Sequence, residues 1–412
     1  LQALSLTYPE TKKSSADINE IPWISKRSFG LLQGVQWIIN LALSEKRFLS
    51  AARQENQIFA NKLGVIHKHV IGGARARAHF PLVVKTTSDA GKSREHIHEA
   101  FVGTKAINSL LKDIPNFAYT FGLHRNDKEV SVINEFIAGE TLFDYLQSSR
   151  FTFNNFLSIL AQVCLAIQVA QNRCGLVHYD LVPWNIVLQH SRGSTVDYAL
   201  SHSNVIRVRT NVIPVIIDYG KSHVIVDQKH HGFTNMFRVS TVQDVLSILL
   251  NSLAIILNKQ NLGKKEFSNM MTLADFVSET KYHPDKFVRA QGLRVFLRKA
   301  IKYSVMSYGP KYELERLTPM DLFNSIYDIG EKSKYPFISS INLKPGTFIN
   351  RMDRGNGRQV FEYILSNTTE ERAQSYFNVF SRLKHCTVPQ PKNLFFVYYA
   401  AQTLVYNLET VN

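Results

Sequence analysis

Cysteine is scarce in this chain. Only three occur in 412 residues, Cys164, Cys174 and Cys386, and none lies in a C-x-x-C pair. The odd count and wide spacing argue against a disulfide framework or a zinc knuckle and point to a reducing compartment. Acidic residues are also in deficit: 33 Asp and Glu face 48 Lys and Arg, a formal charge of +15. That balance favours polyanionic partners, such as nucleotide phosphates, acidic protein segments or nucleic acid, without choosing among them. No membrane span is expected. The longest greasy run, "VLSILLNSLAIIL" at 245–257, is short for a bilayer and broken by Ser and Asn, so it reads as a buried core helix. No secretory signal, internal repeat or low-complexity tract is recognisable. The first residue is leucine, from which a trimmed or processed chain is expected.

What is present is apolar bulk. Hydrophobic residues make up 45% of a chain long enough for two or three lobes and a substantial core. Residues 1–54 open on the polar "PETKKSSADINEIP" and continue into "LLQGVQWIINLALSEKRFL", an amphipathic helical pattern. From about 57 the texture is strand-like, in "KLGVIHKHVIGG" and "FPLVVKTTS". The segment "SREHIHEAFVGTKAINSLLKDIP" predicts a helix ended by Pro115, and "FAYTFGLHRNDKEVSVINEFIAG" predicts a hairpin with its turn at "RND". A helix-rich half follows. Phe153, Phe156, Leu160, Val163 and Ile167 recur at threes and fours, with Gly175 as the expected C-terminal cap. Residues 189–212 read as a hairpin, a helix is expected from near 242, and a charged helix lies around "RQVFEYILSNTTEERAQSYFNVFSRL" in the tail.

The chemistry is concentrated in "VHYDLVPWNIVL", residues 177–188. Two apolar strand-like runs flank a loop that carries His178, Asp180 and, five residues on, Asn185. Three further residues stand in telling places: Lys85 in an apolar strand, Glu99 on the following helix, and Asp218 opening "DYG" after another apolar strand. Singly, each has an ordinary explanation. A strand lysine can reach water along its stem, helix glutamates are mostly solvated, and Glu95 competes with Glu99 from one turn earlier on a similar face. In this order, however, they reproduce strand lysine, helix glutamate, H-x-D-x-x-x-x-N and D-x-G.

The chain therefore resembles the protein-kinase-like superfamily over about residues 57–260. Its wording, as in "HEAFVGTKAINSLL", "IPNFAYTFG", "HYDLVPWNIVL" and "IDYGKSH", is similar to that of Ser/Thr kinases of large nucleocytoplasmic DNA viruses of the iridovirus and mimivirus type. The resemblance implies an α+β, bilobal protein-kinase-like fold. A β-rich N-lobe at 55–138 and a larger helical C-lobe at 139–335 would be flanked by extensions at 1–54 and 336–412, the second of them helical. It implies ATP and Mg²⁺ as cofactors and Ser/Thr of a protein, acidic in keeping with the basic chain, as acceptor. Lys85 would hold the α and β phosphates with Glu99 fixing its ammonium. Asp218 and Asn185 would supply hard oxygen ligands to Mg²⁺. Asp180 would be the catalytic base, and His178 a brace for its loop. Asp244 either holds that loop's backbone or is an acid at a helix start. Gly64 would mark the phosphate lid, Gly220 would permit a tight turn after Asp218, and the backbones of Glu135, Phe136 and Ile137 would meet the base. Asp144 reads equally as a ribose contact or a solvated acid. The expected setting is the host cytoplasm, with the virion as a second setting.

The pattern also departs from the family. Gly64 lies 21 residues before Lys85, yet "GVIHKHV" holds no second glycine; Gly72 and Gly73 are the alternative phosphate turn. His67, Lys68 and His69 face phosphates or are ordinary strand residues. Val182 stands two residues after Asp180, where Ser/Thr kinases carry a lysine, and Lys221 is a candidate to compensate. Tyr179 replaces the arginine of "HRD", which predicts no activation by loop phosphorylation. Only 26 residues separate Asp218 from Asp244, without an "APE". These departures keep two rivals open: a small-molecule kinase of the aminoglycoside or choline type, and a catalytically silent kinase-shaped scaffold. The pairs His96/His98 and His230/His231 read as surface or core histidines before metal ligands. Nucleic-acid binding through the basic ends is compatible with any of these readings.

Overall fold

Burial alternates along residues 81–85, the middle of a five-stranded sheet in the first part of the chain. The computed structural model describes residues 52–61, 64–71, 80–111, 113–201, 204–232, 242–279 and 318–333, together with Leu32, Gln36, Ile39 and Asn40. Gly72, Gly73, Cys386, the charged tail helix and most of both expected extensions lie outside these residues. The chain divides into two units. The first comprises residues up to Glu140 with Ile186–Tyr198 and Arg207–Lys221; the second comprises Thr141–Asn185, Ala199–Ile206 and the chain from Ser222 onward.

In the first unit, β1 (Ala52–Asn61), β2 (Gly64–Ile71), β3 (Phe80–Thr87), β4 (Thr120–Arg125) and β5 (Val130–Glu135) form an antiparallel sheet in the order β1-β2-β3-β5-β4. In β3, Leu82 and Val84 are buried on one face, which turns Val83 and Lys85 to the other. The β4–β5 turn falls where "RND" predicts it. Asn126 Oδ1 accepts the N–H groups of Lys128 and Glu129 at 2.9 and 2.7 Å, a side chain standing in for a backbone turn. Strand β1 is unforeseen before residue 57, because its side chains from Gln54 to Asn61 are all exposed and carry no alternation.

Between β3 and β4 lies α1 (Ala90–Val102), capped by Asp89, whose side chain accepts from Lys92 N. The predicted single helix up to Pro115 is in fact broken. It passes through a π turn at Gly103–Ile107 into a last α turn at Asn108–Leu110. The cause is the close approach of β4. A Cβ on Gly103 would lie 2.1 Å from Thr120 Oγ1, and the Asn108 side chain donates to Thr120 O and accepts from Thr120 N at 2.8 and 2.9 Å. Earlier in the chain, Leu32 and Ile39 are buried in helical backbone and Gln36 donates to Phe121 O. The amphipathic pattern read there holds at these positions.

In the second unit, α2 (Leu142–Gln147) precedes α3 (Phe153–Cys174). Thr152 caps α3 at its start, and Gly175 ends it at φ 58°, the left-handed cap expected of that glycine. By length and apolarity α3, rather than residues 245–257, meets the requirement for a bilayer span. Its apolar window is 89% buried, which makes it the core helix of this unit. It packs against α6 (Pro319–Ser333). A 3₁₀ turn at Pro183–Asn185 leads into β7 (Ile186–Ser201), which stands between the short β6 (Glu140–Thr141) and β8 (Asn204–Ile216) in a three-stranded sheet; most of β7 and β8 counts with the first unit. A short hairpin of β9 (Val224–Val226) and β10 (Lys229–His231) comes next. The apolar run at 245–257 lies within α4 (Gln243–Lys259), followed by α5 (Lys264–Glu279).

Candidate functional site

Three of the sequence-chosen residues meet in the first unit. Lys85 Nζ lies 2.8 Å from Glu99 Oε1 and 3.2 Å from Asp218 Oδ1. The geometry follows from the elements. Period-two alternation turns Lys85 away from the buried Leu82 face, and helical spacing puts Glu99 among the buried residues His96, Ala100 and Val102 of α1. Glu99 Oε1 also accepts from Asn134 Nδ2 at 3.0 Å. Glu95, the competitor one turn earlier, pairs instead with Lys92. Lys85, Glu99, Asp218, Lys92 and Glu95 line a cavity of about 170 Å³, which Gly64 and Gly220 also border.

The electrostatics favour a fixed cation. Burial alone would lower the pKa of Lys85, but the carboxylates of Asp218 and Glu99 outweigh it and hold the ammonium well above the ordinary lysine range. Burial pushes the Glu99 carboxyl up, against the pull of Lys85. Because two N–H donors converge on Glu99 Oε1, the ionised form is the one the geometry supports. Burial lowers His96, whose Nδ1 lies 3.4 Å from Val130 O.

Asp218 adopts φ 69°, the left-handed region that a non-glycine residue enters at a cost. The next residue, Tyr219, is buried with its hydroxyl 2.9 Å from the carbonyls of Ala118 and Ile216. The conformational demand therefore falls on Asp218. A Cβ at Gly220 would meet Asp218 Oδ1 at 3.5 Å and Glu95 at 3.8 Å, ordinary contacts, so the expectation of a glycine-only turn there is corrected.

Asp180 and Asn185 belong to the second unit. Asn185 Nδ2 donates to Asp180 O at 2.8 Å, which fixes the amide and leaves Oδ1 as its oxygen donor group. His178 is fully buried, and its Nδ1 accepts from Asp180 N at 3.3 Å. That bond makes His178 a brace. Asp244 accepts the N–H groups of His178 and Tyr179 at 2.7 and 2.9 Å, so the backbone-holding alternative describes its contacts. Val182 is buried and apolar.

Other expectations meet a different geometry. Gly64 N–H donates to Asn61 Oδ1, and a Cβ there would stand 2.6 Å from Thr86 O. Its glycine character therefore follows from packing on β3. The N–H groups of Glu135 and Phe136 are used inside the unit, on Tyr119 O and Pro81 O, and the Glu135 carboxylate accepts from Tyr119 N. Ile137 is buried in a cluster with Ala118, Val187, Ile213 and Val215. Asp144 shares reciprocal hydrogen bonds with Thr141 at the start of α2, a helix cap. Lys68 pairs with Glu55 at 3.0 Å and lies over the Phe136 ring, as a strand residue does. His230 Nδ1 lies 2.9 Å from His223 Nε2. That contact was not foreseen, because the partner lies across the β9–β10 hairpin.

Comparison with known proteins gives the same family. Residues 53–210 match the protein tyrosine and serine/threonine kinase family. The chain is 33% identical to uncharacterized protein 179R of Invertebrate iridescent virus 6, over 85% of this chain and 32% of that protein. It is 27% identical to uncharacterized protein 035R of Invertebrate iridescent virus 3, over 98% of this chain and 38% of that protein. Probable kinase 098L of the same virus is 34% identical over 40% of this chain and 32% of its own length. The chain thus spans about a third of the length of the curated relatives it matches. With the ion-paired strand lysine in a mixed β-sheet and helical framework, these matches make residues 53–210 a protein-kinase-like region in a chain with iridovirus relatives.

Proposed function

We propose that this chain is an ATP- and Mg²⁺-dependent phosphotransferase of the serine/threonine protein kinase type. The observation that carries the reading is the buried Lys85–Glu99 pair with Asp218 at 3.2 Å. Phosphoryl transfer asks a protein mainly to position groups and stabilise charge. A lysine held charged by two carboxylates, on a strand and beside a cavity, is suited to α and β phosphates. Two side chains, each within its own unit, are of the donor type a hard cation takes. Asp218 presents a carboxylate whose side chain is 44% exposed, and Asn185 an amide oxygen whose nitrogen is already used. Asp218 and Asn185 would hold Mg²⁺, which supplies charge neutralisation at the phosphates when bound.

Asp180 would orient the acceptor hydroxyl and take its proton. The hydroxyl oxygen bonds to phosphorus as the bond to the ADP oxygen breaks. His178, fixed by Asp180 N and by Asp244, would keep that loop in place. Ile137 N–H is the proposed donor to the base. Tyr179 in place of a guanidinium supports activity without a phosphate on the following segment.

One observation favours a second reading. Val182 leaves no cation two residues after Asp180, as in small-molecule kinases. Labelled ATP with casein or myelin basic protein, set against aminoglycoside, choline and sugar acceptors, separates the two. Label on protein supports the first reading, and label on a small acceptor alone overturns it. The silent-scaffold alternative predicts no thermal stabilisation by Mg²⁺ with ATP, whereas the intact Lys85, Asp180, Asn185 and Asp218 lead us to expect one.

A further inference from the structure

Gly64, at the start of β2, borders the Lys85 cavity but does not present its N–H to it. Gly64 N–H is already given to Asn61 Oδ1 at 3.1 Å, and its missing side chain is accounted for by Thr86 O. No second glycine follows before Gly72. The described residues thus show no glycine-rich backbone cradle here, and the cationic side chains of the cavity are the groups suited to a polyphosphate.

Among the described residues two lysines line the cavity, and they differ in freedom. Lys85 is 12% exposed and held by Glu99 and Asp218, so it is a fixed charge. Lys92 stands in the first turn of α1, with Nζ 2.5 Å from Glu95 Oε2. Its side chain is 34% exposed and that of Glu95 31%. An ion pair so open to water contributes little and exchanges readily for a stronger partner. The Lys92 backbone is anchored, because its N–H donates to Asp89 Oδ1 at 2.8 Å. Only the flexible stem has to move, carrying an ammonium with three rotatable donors.

We infer that Lys92 is a second phosphate-binding cation of this site, held by Glu95 until a nucleotide polyphosphate takes it. The inference rests on reading the Lys85 cavity as the nucleotide site. On binding, Lys92 Nζ leaves Glu95 for the outer phosphates, while Lys85 stays on Glu99. Glu95, a third exposed, is left hydrated.

The test is calorimetric titration of the full chain with ATP and with AMP in Mg²⁺, for wild type, Lys92→Gln, Lys92→Arg and Lys85→Met. Lys92→Gln is expected to weaken ATP about tenfold, the scale of one charge-assisted contact, and to leave AMP within about twofold. Lys92→Arg is expected to retain most of the ATP affinity, and Lys85→Met to lose it. If Lys92→Gln binds ATP as wild type does while Lys85→Met fails, the inference is overturned and the nucleotide reading stands. An equal loss for ATP and AMP in Lys92→Gln marks a structural role and also overturns it. If the wild type binds neither nucleotide, the nucleotide reading itself fails, and this inference with it.

Discussion

The Asp244 carboxylate accepts the backbone N–H groups of His178 and Tyr179, and Tyr179 stands at φ 61°. A bulky residue in that region costs about 1–2 kcal/mol, so the loop that carries Asp180 is strained and tied down at one residue. Asp244→Ala would leave two buried N–H groups without their acceptor. At about 1–3 kcal/mol for each such group, a loss of roughly 2–6 kcal/mol is expected in denaturant unfolding. An unchanged unfolding midpoint would show that Asp244 does not hold the loop.

Lys85 and Glu99 give a second prediction. Lys85→Met leaves the buried Glu99 carboxylate without its cation, beside the Asn134 amide and the like charge of Asp218, so a loss of about 3–5 kcal/mol is expected. The double variant Lys85→Met with Glu99→Met removes both charges and is expected to be more stable than the single one. Urea titrations of the three proteins check this. A double variant less stable than Lys85→Met would mean that packing, not the unpaired charge, sets the cost.

The upward shift of Lys85 fixes a pH dependence. A lysine whose folded pKa is raised stabilises fully below its unfolded value, about 10.4, and loses that contribution only as pH rises through the folded value. Nucleotide affinity should therefore show no loss attributable to Lys85 between about pH 7 and pH 10. Affinity of the Lys85→Arg variant, measured over the same range, is the control. A wild-type decline in that window that the arginine variant lacks would contradict the shift.

Much of each unit's candidate cluster is legible in the sequence, and the rest fails for identifiable reasons. Lys85, Asp218 and the Asp180–Asn185 loop are signalled by apolar strands that end in polar chemistry. Glu99 and Glu95 are not separable by pattern, since they stand one turn apart on one helix; the position of Lys85 across the fold decides. The strained residues Tyr179 and Asp218 are invisible to a search for glycine. Gly103 and Gly64 are glycines because of Thr120 and Thr86, contacts distant in sequence. Strand β1 escapes because its exposed side chains carry no alternation and only its pairing with β2 defines it.

The thiols of α3 supply a fourth prediction. Burial pushes the Cys174 thiol up to about 12 and the Cys164 thiol higher still. Both should resist alkylation at pH 8 in the folded protein and react after unfolding. Peptide mass spectrometry reads each site separately. Rapid native labelling of Cys164 would contradict its place in the core.

The most direct measurement is mass spectrometry of the purified chain incubated with ATP and Mg²⁺, wild type against Asp180→Ala. New phosphoserine or phosphothreonine in the wild type alone is the predicted result. Equal phosphorylation in both proteins, with Asp180→Ala folded, would contradict the role given to Asp180 and with it the proposed mechanism.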